Sequence, residues 1–252
     1  MSHFTVAVFS RKPEDVESLL APYEEEPDNP EYIKFTPSSK PKSYWLEMYE
    51  LNKDYYETFE DYLEQDEGLV INEDGEIGSL GNPNAKWDYW VVGGRWLGLL
   101  KLKPGCDGGI GHPSLLLGDV KYEENACDQA RVCDVDFSRD QKAYDRAIRF
   151  WEVVVDGQPI REGECKRNFF TPYTTKYYIN QFGTKEAYAD YESALMTWAF
   201  ITPDGKWAEN GNMGWFGLSD ATSDTRKTYA EAFNEMVKNG QELWITIVDC
   251  HI

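Results

Sequence analysis

Both extremities of the chain read as strands, and this restricts the fold more than any other feature. The first, "HFTVAVFS" (residues 3–10), is rich in β-branched and aromatic residues. The last, "LWITIVDCHI", runs from an apolar strand pattern directly into Asp249, Cys250 and His251. Chain ends ordinarily fray, so a polar triplet fused to a core strand predicts a terminus that is held in place.

The segments next to these strands supply the remaining elements. "RKPEDVESLLAPY" predicts a helix with Ser10 as cap, Pro13 in the first turn, and Val16, Leu19, Leu20 and Tyr23 as its apolar stripe. Toward the C-terminus, "ALMTWAFITPDGKWAENG" predicts two strands around a Pro203-Asp204-Gly205 turn. "SDTRKTYAEAFNEMVKNG" then predicts a helix capped by Ser223 or Asp224, with Tyr229, Phe233, Met236 and Val237 inward and Asn239-Gly240 as the stop. Strand, helix, strand, strand, helix, strand spells an α+β fold: a ferredoxin-like βαββαβ sandwich, residues 1–252 forming one domain. Residues 24–190 become a large acidic, aromatic-rich elaboration between the first helix and the C-terminal hairpin. In that topology the first and last strands are antiparallel neighbours, so His3 is expected beside Asp249–His251.

Within the elaboration, residues 43–67 carry two stripes. Trp45, Met48, Tyr49, Tyr55, Tyr56, Phe59, Tyr62 and Leu63 form an aromatic underside, and Glu47, Glu50, Asp54, Glu57, Asp61 and Glu64 an acidic ridge, which predicts one amphipathic helix. "WDYWVVGGRWLGLLKLK" reads as a strand pair or bent strand around Gly93-Gly94, residues 104–125 as loop, "SRDQKAYDRAIRFWEV" as a helix, and Asp156-Gly157 as a hairpin turn.

Composition narrows the partners. Nine Trp, 16 Tyr and 12 Phe exclude a disordered chain and fit a packed globule with a recessed site. The net charge is −20, and residues 14–76 hold 20 Asp and Glu against 4 Lys. Such a field repels phosphate backbones, which disfavours direct nucleic-acid binding, and attracts a basic protein surface. No apolar run is long enough to cross a bilayer and no signal peptide is legible. With five cysteines and no C-x-x-C pair, the expectation is free thiols in a reducing cytoplasm.

Four constellations are candidates for chemistry. Trp87, Trp90, Gly93, Gly94, Arg95 and Trp96, with Trp215 and Phe216 of "NMGWFG", hold the parts of an anion or nucleotide pocket: glycines for close approach, a bidentate donor, and indoles for stacking. The alternative is a bulge with core tryptophans. His3, Asp249 and His251 share a strand face, where a carboxylate and imidazoles can run acid–base chemistry or hold a metal, or simply pin the terminus. Cys106, His112, Cys127 and Cys133 have zinc-ligand chemistry, but their five-residue gaps are longer than the usual knuckle. The acidic ridge places carboxylates ~5–6 Å apart, so it can mimic a phosphate strand, or be a solvated helix face. No P-loop, dinucleotide fingerprint, nucleophile elbow or H-E-x-x-H is present, so no cofactor is expected.

The combination of "SHFTV", "NPNAKWDYWVVGGRW", "YESALMTWAFITPDGKW" followed by "MGWFG", and "TIVDCHI" resembles a family of uncharacterised proteins of tailed phages and bacteria, often encoded near mobile elements. The resemblance implies a small phage-type accessory protein acting in the host cytoplasm and assigns no catalytic residue. The leading expectation is a binding protein that sequesters a small anionic, nucleotide-derived ligand at Gly93-Gly94-Arg95, as a counter-defence sponge would. One alternative is an acidic protein that blocks a basic host protein through the residue 43–67 ridge. Another is a hydrolase using His3, Asp249 and His251, with or without a metal.

Overall fold

The computed structural model describes residues 2–113, 123–211 and 220–252. In chain order the elements begin with β1 (His3–Ser10), α1 (Val16–Leu20), β2 (Lys34–Pro37), α2 (Lys42–Asn52), α3 (Phe59–Gln65), β3 (Val70–Ile71) and β4 (Ile77–Gly81). Next come β5 (Tyr89–Gly94), β6 (Leu100–Lys101), β7 (His112–Pro113), β8 (Ala126–Cys127) and β9 (Gln129–Arg131). The chain continues through α4 (Gln141–Val154), α5 (Thr175–Phe182), α6 (Lys185–Ser193), β10 (Ala199–Ile201), β11 (Trp207–Glu209), α7 (Ser223–Asn239) and β12 (Trp244–His251).

The chain divides into two compact units, Met1–Leu19 with Trp90–His251, and Leu20–Tyr89 with Ile252. The centre of the first is an antiparallel pair of β1 and β12, in register from His3↔His251 to Ser10↔Trp244. The expected adjacency of the two ends is therefore observed. Both strands are buried along nearly their whole length, and strands covered on both faces carry continuous rather than alternating hydrophobicity. That is why "TVAVF" and "WITIV" read so plainly.

The sheet runs β11-β10-β1-β12-β5-β7, with β9 also pairing β12. This order differs from a ferredoxin-like sheet. There the second hairpin strand inserts beside β1 and every neighbour is antiparallel; here β10 lies parallel to β1 and β11 stays outside it. A parallel neighbour needs a long crossover, and the helix-rich stretch before β10 provides it. The architecture is α+β with several sheets. α7 lays Tyr229 and Phe233 on the sheet, where Phe233 meets Phe9 and Phe200 edge-on at ring centroids 5.7 and 5.8 Å apart. A second core joins α4, α5 and α6 through Trp151, Tyr178 and Tyr188. No strand pair forms at Asp156-Gly157, because α4 continues to Val154, and β6 pairs with β8 rather than with β5.

In the second unit, residues 43–67 form two helices instead of one. Thr58 ends the run: its hydroxyl accepts from Asp61 N at 3.0 Å while the Asp61 carboxylate accepts from Thr58 N, a reciprocal cap that starts α3 afresh. Trp45, Tyr62, Leu63 and Ile77 form the core of this unit with Met48, Tyr49, Tyr56 and Phe59 around them. Tyr55, expected on the apolar stripe, lies in the break and is 81% exposed.

Candidate functional site

The β1–β12 register brings His3, Asp249 and His251 to one end of one sheet face. Asp249 is 1% exposed. One of its oxygens bonds His3 Nδ1 at 2.8 Å, the other accepts from Arg95 N at 2.8 Å, and the His3 and His251 rings meet edge-on at 4.8 Å. Two constellations that are separate in sequence are thus one structure. Gly93 and Gly94 hold φ of +81° and +54°, and a Cβ on Gly94 would overlap the Asp249 side chain. Asp128, fully buried, supports the same turn by accepting from Gly98 N at 2.5 Å and Gly111 N at 2.8 Å. Burial pushes its carboxyl above the ordinary carboxylate value despite those amide donors.

This geometry corrects the expected pocket. The space beside Gly93 and Gly94 is filled by two aspartates, so their close approach serves the protein's own carboxylates. Trp87 is buried in the second unit and donates its indole N–H to Leu20 O at 3.2 Å. Trp96 packs against the sheet core, Trp90 is half-buried, and the Arg95 side chain is exposed. Trp215 and Phe216 lie outside the described residues.

The other candidates disperse too. The acidic ridge is interrupted between α2 and α3: Glu50 pairs with Lys53 at 2.8 Å and Asp61 is held in its cap, while Glu47, Asp54, Glu57 and Glu64 remain exposed. Cys127 is sealed in the core, where burial raises its thiol to about 11, whereas His112 is exposed on β7. Cys133 contacts its neighbour Asp134, and burial raises the thiols of both Cys133 and Cys106. Among the described residues no group of three or more His, Cys, Asp and Glu is arranged to hold a metal.

A cleft that sequence reasoning missed lies in the first unit, among the end of α5, α6, the segment leading into β10 and α7. One cavity of about 520 Å³ is lined by Phe182, Asp190, Tyr191, Arg226 and Lys227 among others. A neighbouring cavity of about 320 Å³ is lined by Thr5, Tyr191, Glu192, Thr197, Trp198 and Asn210, and the two share Tyr191, Ala194 and Met196 as walls. Such volumes belong to small-ligand sites. Each cavity is lined by a residue that has a buried polar atom with no hydrogen-bond partner among the described residues: Arg226 with its Nε in the larger, Asn210 with its Oδ1 in the smaller. Leaving one such group unpaired costs about 1–3 kcal/mol, so two in adjoining cavities call for a reason.

The local structure fixes both groups. Arg226 stands in the first turns of α7, its guanidinium over Phe182 and Tyr191 at 5.3 and 5.7 Å, with one Nη donating to Gln181 Oε1. Asn210 is 3% exposed; its N–H donates to Trp198 O and its side-chain amide reaches Tyr191 Oη at 3.4 Å. Glu192 keeps solvent access, yet the walls crowding its carboxyl push its pKa up, against the pull of Arg226. Asp190 and Asp224 also line the larger cavity, Asp190 engaged by Arg139 at 3.0 Å. The cleft thus holds a donor and an acceptor without partners among the described residues, on two side chains that both meet Tyr191. Thr5, which lines the smaller cavity, is two residues from His3 on the same strand face.

Comparison with protein-family models, with curated proteins and with solved structures finds no match to this chain.

Proposed function

We propose that this chain binds and retains a small anionic, nucleotide-like ligand in the cleft beside Tyr191 rather than at the Gly93-Gly94-Arg95 turn. The observation that carries this reading is a pair of buried atoms without partners among the described residues, Arg226 Nε and Asn210 Oδ1, on residues that line adjoining cavities. A guanidinium with a free N–H suits an oxyanion, and Lys227 on the same cavity adds a second cation. Tyr191 and Phe182 supply ring faces for a planar group. Retention is favoured over hydrolysis because both oxygens of Asp249 are engaged, by His3 and by the Arg95 amide, which makes the His–Asp pair a brace. Joined to the resemblance to phage-type accessory proteins, the reading is that of a cytoplasmic sponge for a host nucleotide signal.

A thermal-shift screen of mono-, di- and cyclic nucleotides and ADP-ribose, followed by calorimetry, tests it. Saturable binding that weakens at least tenfold in Arg226→Ala is the expected result. Silence across the panel removes the proposal. Binding that falls in Arg95→Ala but not in Arg226→Ala returns the ligand to the glycine turn.

A further inference from the structure

The smaller cavity asks for hydrogen-bond donors. Two of its wall groups are acceptors, Asn210 Oδ1, which has no hydrogen-bond partner among the described residues, and the Glu192 carboxyl, while the Tyr191 hydroxyl already accepts from the Asn210 side-chain amide at 3.4 Å. The two remaining hydroxyls are already engaged: Thr5 Oγ1 accepts from Trp198 N at 3.0 Å, and Thr197 Oγ1 donates to Ala199 O at 2.7 Å. Half-buried Trp198 gives the same cavity an indole, so a flat, donor-bearing group has a surface to lie on. Across the shared Tyr191 wall stands Arg226, whose free N–H suits an anion. A planar ring with an amino group, tethered to a phosphate, answers all of these demands together.

We infer, resting on the reading of this cleft as a nucleotide site, that it selects nucleotides whose base carries an exocyclic amine. The amine hydrogens go to Asn210 Oδ1 and the Glu192 carboxylate. A keto base turns an oxygen toward the same groups, setting acceptor against acceptor, and sites built around a hydrogen bond discriminate strongly against such partners.

Calorimetry of the full chain against two matched pairs, AMP with IMP and CMP with UMP, tests the inference without relying on any variant's folding. The amine-bearing member of at least one pair should bind at least tenfold more tightly than its keto counterpart. In Asn210→Ala that ratio should shrink toward one. Equal affinity within both pairs, or a keto preference, with binding still weakened by Arg226→Ala, overturns amine selection and leaves the anion site standing. So does an amine preference that survives Asn210→Ala undiminished. Failure of all four nucleotides to bind removes the cleft reading and this inference together.

Discussion

Gly94 occupies a left-handed backbone position directly against the Asp249 side chain, and the two residues are 155 apart in sequence. Alanine there would meet two penalties, the φ of +54° and overlap with a carboxylate that is itself tied to His3 and Arg95 N. Gly157 separates them, because its φ is +72° but nothing lies near its missing Cβ. Urea unfolding should therefore show Gly157→Ala losing about 1 kcal/mol and Gly94→Ala about 2–5 kcal/mol. Equal losses at the two sites would mean that Asp249 is not locked against the turn. The glycines were visible in the sequence as places for close approach. What approaches was not, because Asp249 is brought there by strand pairing and not by any local pattern.

Among the elements, α4 is fastened to the segment that follows it by one guanidinium. Arg149 donates to both Glu164 oxygens at 2.7 and 2.9 Å, to Glu152 at 3.1 Å and to Pro159 O at 2.9 Å. Its charge and hydrogen bonds pull the Glu164 pKa from 4.5 down to about 2. A carboxyl depressed on folding stabilises the protein above its unfolded pKa, and the contribution is lost as pH falls through the folded one. The melting-temperature gap between wild type and Glu164→Gln should be widest near neutral pH and close between about pH 4.5 and 2. A gap that does not change with pH would show the clamp to be electrostatically silent. Elements of this kind differ in how far the sequence betrays them. β1, β12, α4 and α7 were legible because burial or amphipathicity stamps a period on their residues. The placement of β10 beside β1 was not, since a two-strand hairpin reads the same whichever strand faces inward. The Thr58–Asp61 cap is a local signal that marks the start of α3 inside an otherwise periodic run. The cleft left no signal at all: Tyr191 is in α6, Asn210 follows β11 and Arg226 is in α7, and only packing brings them onto the walls of adjoining cavities.

At the scale of the whole molecule the charge is uneven. Residues 20–89 carry 18 Asp and Glu against 5 Lys, a net −13 of the total −20. Among the described ion pairs of that segment, Lys53–Glu50 lies on an exposed helix face, so most of these carboxylates repel one another through solvent. Added salt shortens the Debye length from ~30 Å at 0.01 M to ~3 Å at 1 M. The melting temperature should accordingly rise by several degrees from low salt to about 0.5 M sodium chloride, screened self-repulsion outweighing the loss of weak surface pairs. A flat or falling curve would show that the acidic surface is internally compensated. Apart from Ile252, the second unit is also a continuous stretch of chain, whereas the first is assembled from segments on either side of it. During synthesis, residues 20–89 can collapse as soon as they leave the ribosome. β1, made earlier, must wait for a strand whose paired residues lie up to 248 positions downstream. Its β12-facing edge stays unsatisfied until that strand is made, and that interval, more than the finished fold, is when this chain is most exposed to mispairing with its neighbours.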